Sequence, residues 1–169
     1  MDNYPGRHIV PDQAVGASLD YFDFFNASQT HVIEIGSVRP VVSAAVAVTG
    51  VVAVDLFLAA TSAVGTGGTA ATERGTSLTA ATFTHTNLKQ ETIPAGITAR
   101  LTPTGGATIN QVLDFDSWFT EETNAGTYIS KTFEGPITLT QNFGIKVIQG
   151  GVASVGNIGF VVKFKLLPL

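Results

Sequence analysis

The sequence predicts an all-β protein, an antiparallel jelly-roll-like sandwich with an extended N-terminal arm. Three observations carry this. From residue 31 onward apolar and polar residues alternate in short runs, the period of strands half-buried against a core. Clusters of Gly, Pro and Asn separate those runs at short intervals, as turns do in a sandwich. No segment keeps an apolar helical period for several turns.

Composition bounds the function. A chain of 169 residues suits one domain with its own core. Hydrophobic residues make up 44% of it, which argues against disorder, but only 13% are charged. That is about half the usual share for a soluble domain. A free-standing monomer generally carries more charge for solubility, so the low value points to a surface partly covered by other subunits. The net charge is −4 and the nine basic residues are scattered. Without a basic stripe and interleaved aromatics, no nucleic-acid partner is expected. The absence of cysteine excludes a disulfide framework and thiolate metal ligands. Met1-Asp2-Asn3-Tyr4-Pro5 has neither the basic start nor the apolar stretch of a signal peptide. The apolar segment 41–60 contains Ser43, Thr49, Gly50 and Asp55 and is β-branched. It reads as strands and not as a membrane span, so no membrane partner is expected.

Two regions follow: residues 1–30 as the N-terminal arm and residues 31–169 as a single β-sandwich domain. The arm holds Pro5, Pro11 and the aromatic cluster Tyr21, Phe22, Phe24 and Phe25, with no sustained period. It is expected to become ordered by docking, with a short helix over residues 11–24 as an alternative. Its four rings are candidate partner contacts; folding back onto the chain's own core is the other reading.

In the body, Val42, Ala44, Val46 and Val48 share one strand face, and Val52, Val54, Leu56 and Leu58 another. Thr49-Gly50 is a turn between them, or a bulge in one long strand. Asp55 then points away from the core. Ile97, Ala99 and Leu101 face in, with Thr98 and Arg100 out. Ile109, Gln111, Leu113, Phe115 and Phe119 share a face. Ile137 and Leu139 alternate with Thr138 and Thr140, and Ile145 and Val147 flank an exposed Lys146. The clearest run is the last, with Phe160, Val162, Phe164 and Leu166 inward and Val161, Lys163 and Lys165 outward.

Few motifs suggest chemistry. Gly65-Thr66-Gly67-Gly68-Thr69-Ala70 fits a dinucleotide pattern, but that pattern needs a helix to follow, and the segment 72–76 is a poor one. Asp114 and Asp116, with Glu121 and Glu122 beyond, are better read as a solvated acidic face than as a calcium site. His8, His31 and His85 lack metal-ligand spacing, and no nucleophile elbow is present. No cofactor, metal or catalytic residue is therefore assigned, and the chain is read as no enzyme. Trp118 falls outward by alternation and is a candidate anchor for a partner or a sugar. Asn26-Ala27-Ser28 matches a glycosylation sequon, which is read as chance.

Four segments resemble a family of small jelly-roll proteins of tailed bacteriophages that decorate, cement or project from the head shell. They are Leu58-Ala59-Ala60-Thr61 leading into Gly67-Gly68-Thr69-Ala70, then Ile93-Pro94-Ala95-Gly96, then Gly135-Pro136-Ile137-Thr138-Leu139, and finally Gly159-Phe160-Val161-Val162-Lys163-Phe164. The resemblance spans about residues 31–167 and leaves the arm outside. It implies a virion structural protein on the capsid surface, made in the host cytoplasm. Its implied partners are the major capsid protein and copies of itself in a homotrimer. Most specifically it implies a capsid cement or decoration protein. The alternative is a carbohydrate- or receptor-binding module of a tail or fibre, with Trp118, Asp114 and Asp116 as first candidates. Fold alone does not choose between them.

Overall fold

A computed structural model describes residues 4–14, 16–43, 52–70, 82–85, 93–103, 109–120, 133–151 and 157–169. Among them are eleven strands and no helix. The strands are β1 (Gly6–Ala14), β2 (Asp20–Asn26), β3 (His31–Ser43), β4 (Val52–Thr61), β5 (Thr69–Ala70), β6 (Thr82–His85), β7 (Ile97–Leu101), β8 (Ile109–Thr120), β9 (Phe133–Leu139), β10 (Phe143–Gln149) and β11 (Asn157–Pro168).

They form two packed antiparallel sheets, a β-sandwich. One has five strands in the order β6-β1-β11-β3-β9, the other six in the order β5-β7-β2-β10-β4-β8. The chain is laid down as a doubled ribbon. β1 pairs with β11, β2 with β10, β3 with β9 and β4 with β8, all antiparallel. Further pairing of β3 with β11 and β4 with β10 joins the turns of the ribbon. Both ends of the chain therefore meet in the middle of the five-stranded sheet.

The core lies between the sheets. Phe160 and Phe164 of β11 meet the rings of β2: Phe22 to Phe160 is 5.4 Å between centroids, and Phe24 to Phe164 is 5.2 Å. Ile33, Ile35, Leu56, Leu58, Ile145 and Val147 complete its centre, all fully buried. Burying each such side chain stabilises the fold by about 1.5–3 kcal/mol. The inward positions expected on β7, β10 and β11 are buried, except Leu166, which is partly buried against the core, and Asp55, Thr98, Thr138 and Thr140 are exposed, as the alternation predicts.

The described residues of the segment 1–30 do not form an arm. β1 sits between β6 and β11, and β2 between β7 and β10. Tyr21, Phe22 and Phe24 are completely buried and Phe25 is 5% exposed. Folding back, the alternative reading, is what occurs. Nor is there a helix over residues 11–24; two strands joined by a turn, with Ser18 at φ 55°, occupy that region. The physical reason is that β2 is covered on both faces. Its second to seventh residues are all buried, so the polar–apolar alternation that marks a half-buried strand is missing.

Three smaller expectations also change. Lys146 is buried and not exposed: its Nζ lies 2.9 Å from Asp20 Oδ2. Leu113 is exposed together with its neighbour Val112. The pairing with β4 steps from Leu58–Asp114 to Ala59–Val112, so Leu113 is the extra residue of a bulge, and a bulge breaks the alternation. Finally, β3 and β4 belong to different sheets, so Val41 to Ala60 is neither a simple hairpin nor one strand. Thr49-Gly50, residues 44–48 and the side chains of Val42, Val52 and Val54 lie outside the described residues.

The glycine segment is a strand lead-in. β5 begins at Thr69, where a dinucleotide site would open its helix, and pairs with β7. Gly68 has φ +63°, and a Cβ there would run into the carbonyl oxygen of Leu101. The glycines let the loop press onto β7.

Candidate interaction surface

The outward faces of the two sheets use their charged residues differently. On the six-stranded sheet the chain covers several of its own charges. Asp23 of β2 is 1% exposed, and its Oδ2 accepts a hydrogen bond from the Gly65 amide at 2.6 Å. Arg100 of β7 donates from Nη1 to the Gly67 carbonyl at 3.1 Å, and Lys146 of β10 donates to Asp20. Desolvation raises the Asp23 carboxyl above its ordinary value, with the Gly65 amide opposing the shift. This layer fastens the 65–68 loop to the sheet.

On the five-stranded sheet, outward residues of three adjacent strands gather cations. In β11, Val161 stands opposite Arg39 of β3 and Ile9 of β1, while Lys163 stands opposite Ser37 of β3 and Arg7 of β1. Residues opposite one another across antiparallel strands share a face. Ser37, Arg39, Val161 and Lys163 line a shallow depression of about 320 Å³. Ile9 and Val41 stand exposed on either side, at 42% and 39%.

Next to the depression, Tyr4 lies flat over Gly36, where any Cβ would collide with its ring. Its hydroxyl donates to Glu34 Oε1 at 2.8 Å. Lys165 Nζ reaches the same oxygen at 2.8 Å and stands 5.1 Å from the Tyr4 ring centroid. The hydrogen bonds from Lys165 and then Tyr4 hold the Glu34 carboxyl below its usual range. The same bonds to Glu34 raise both Tyr4 and Lys165. Arg7 Nη1 donates to the carbonyls of Tyr4 and Gly6. A clasp therefore ties the N-terminal segment across β3 and β11.

The residues singled out from sequence scatter over other places. Tyr21, Phe22, Phe24 and Phe25 come together, but inside the fold. Burial pushes the Tyr21 hydroxyl up to about 12, and it donates to Gln149. Trp118, Asp114 and Asp116 are on β8, opposite Val54, Leu58 and Leu56; their side chains, and all of Glu121 and Glu122, lie outside the described residues. The sequon residue Asn26 is fully buried, and its Nδ2 donates to the carbonyls of His31 and Leu139, so it offers no site to a glycan. Among the described residues, no group of three or more His, Cys, Asp or Glu is placed to hold a metal ion.

Arg7, Ser37, Arg39 and Lys163 as a group escaped the sequence reading. The outward position of Lys163 was legible from alternation. Its neighbours come from the two ends and the first third of the chain, and only the strand order joins them. No protein-family model, curated protein or solved structure matches this chain.

Proposed function

We propose that this chain is a virion structural protein: a cement or decoration subunit that binds and stabilises the assembled head of a tailed phage. The observation that carries the proposal is a charge-poor surface with large apolar side chains standing out on both sheets. Ile9 and Val41 are exposed on the five-stranded sheet, Val112, Leu113 and Phe143 on the six-stranded one, in a chain with 13% charged residues. Such a surface suits a protein whose faces are covered in its working state. The strand order supports the jelly-roll form of the sandwich. β1 to β4 alternate between the sheets, β8 to β11 do the same, and the two series pair with each other.

The mechanism is binding linkage. A subunit that binds only the assembled shell stabilises it by RT ln(1 + [L]/Kd). The partners are the major capsid protein and further copies of this chain, as a homotrimer on the capsid surface. Burial and hydrogen bonding act here, with no catalytic step. With the arm aromatics inside the core, the contacts fall to the exposed faces.

The test mixes purified full-length protein with undecorated heads and, separately, with host cells. Saturable binding to heads that raises their disruption temperature supports the proposal. Binding to cells or glycans alone would overturn it in favour of a receptor-binding module. Light scattering that gives a monomer, both before addition and after release from heads, would remove the trimer.

A further inference from the structure

We infer that the segment 62–68 is a strap held over the outer side of the six-stranded sheet by the Asp23 carboxyl, closed while that group is protonated and released as it ionises. The inference is independent of the cement reading, because every group it uses belongs to one copy of the chain.

The strap leaves β4 at Thr61 and enters β5 at Thr69. On the way its Gly65 meets Asp23 of β2, and its Gly67 and Gly68 meet Arg100 and Leu101 of β7. Asp23 is 1% exposed, and its Oδ2 accepts the Gly65 amide at 2.6 Å. A Cβ on Gly65 would strike both this carboxylate and Pro103. Apart from Gly65, residues 62–68 are exposed or half-buried. A segment with so few buried contacts can open while the sheet beneath it stays folded.

The closed strap leaves the carboxyl poorly equipped to carry a charge. Its second oxygen, Oδ1, is buried and accepts no hydrogen bond among the described residues. Two cations flank Asp23 across the sheet, Lys146 on β10 and Arg100 on β7. Lys146 donates to Asp20 at 2.9 Å, and Arg100 Nη1 donates to the Gly67 carbonyl at 3.1 Å. Asp20, on β2 itself, adds a like charge. The strap and β5 carry no titratable side chain. Burial raises the Asp23 carboxyl above its ordinary value, opposed by the Gly65 amide and then by the charge and amide of Arg100. An unpaired buried hydroxyl costs far less than an unpaired buried charge. Closed, the strap therefore holds the proton on Asp23; lifted, it lets water solvate the ion and the ordinary value returns. As pH rises from the ordinary carboxylate range to the raised value, opening gains by up to about tenfold per pH unit, then levels off. Lifting the strap bares the outer side of β2 and β7 with Asp23 and Arg100, so one face of the sandwich changes its accessible charge with pH.

The test follows full-length protein by NMR as pH is raised from the acid side of the ordinary carboxylate range. The Asp23 carboxyl carbon reports its titration. Amide exchange, corrected for the intrinsic rate at each pH, reports the protection of Gly65. Asp23 should titrate above the ordinary range. Gly65 protection should fall in step with it, by up to about tenfold per pH unit, while the amides of β11 keep theirs. Asp23→Asn should hold the acid level of protection at every pH. In Gly65→Ala, whose Cβ forces the strap away, Asp23 should titrate in the ordinary range, which provides a second variant if Asp23→Asn folds poorly. Gly65 protection that ignores the titration of Asp23 would overturn the inference, as would Asp23→Asn behaving like wild type or a raised Asp23 in Gly65→Ala. Protection lost equally on β11 would also overturn it, because pH would then loosen the whole sandwich.

Discussion

The two outward faces of the sandwich arrange their charges differently. The strands of the six-stranded sheet hold Asp20, Asp23, Asp55, Asp114 and Asp116 against Arg100 and Lys146. Its described ionic groups are largely taken up by the chain itself: Asp23 by the Gly65 amide, Arg100 by the Gly67 carbonyl, Lys146 by Asp20. The five-stranded sheet holds Arg7, Arg39, Lys163 and Lys165 against Asp12, Glu34 and Glu134. There, like charges stand side by side beside exposed Ile9 and Val41. A side chain fixed by its own fold reports on stability. A partly exposed side chain on an outer face, such as Lys163, contributes little to stability. Substitutions on the two faces should therefore part company.

The largest effect lies beneath both faces. Deleting residues 1–29 removes β1 and β2 from the interior of the two sheets, and with them Tyr21, Phe22 and Phe24. The loss exceeds the whole net stability of a typical domain, about 5–15 kcal/mol. The truncated chain should show no cooperative melt and no dispersed NMR spectrum. A folded truncated protein would contradict the strand order itself.

Next come the rings between the sheets. Phe160→Ala and Phe164→Ala should each cost about 3–5 kcal/mol in urea denaturation, because both side chains are almost wholly buried against β2. Equal midpoints for these variants and for wild type would contradict the core.

On the six-stranded sheet, Lys146→Met should cost about 1–3 kcal/mol. The buried ammonium is replaced by a side chain of similar length, but Asp20 loses its partner, and Asp20 is only partly screened by solvent. Asp23 behaves differently, and pH exposes the difference. Burial raises its carboxyl in the folded state, so the folded protein holds this proton more tightly than the unfolded chain. Stability from this group is therefore highest at acid pH and falls as pH rises through the raised value. Asp23→Asn keeps an oxygen for the Gly65 amide and has no charge to bury. It should be at least as stable as wild type at pH 7, and its urea midpoint should lack that fall as pH rises above the ordinary carboxylate range. Asp23→Ala, which leaves the Gly65 amide without its acceptor, should lose stability at every pH. A large loss for Asp23→Asn at pH 7 would show that the charge itself fastens the loop.

The smallest change is expected on the five-stranded sheet. Lys163→Ala should stay within about 0.5 kcal/mol of wild type. A loss as large as that of Lys146→Met would erase the contrast between the faces.

How much of this was legible in the sequence depends on how many faces of a strand meet solvent. β11 and β7 are half-buried, and their alternation gives the right inward residues. β2 is buried on both sides by the opposite sheet and the 65–68 loop, so it carries no period and reads as irregular. Lys146 follows the outward rule on β10 yet is buried, since a charge on the outer face is hidden when a partner such as Asp20 reaches it. Leu113 is misplaced by a bulge, a single extra residue that no period announces. The cationic site is the hardest to read. It is assembled from β1, β3 and β11 by the long-range pairing of the doubled ribbon, and none of its residues is near another chain segment of the site in sequence except Ser37 with Arg39, and Val161 with Lys163.

The central claim is that this sandwich works as a covering on an assembled head. A density map of the intact particle that carries it tests the claim most directly. The account predicts three-fold clusters of this chain on the outside of the head shell, bridging capsid subunits, with exposed apolar side chains such as Ile9, Val41 or Val112 buried at the contacts. Density for the chain at the tail or at a fibre tip, with none on the head, would contradict it.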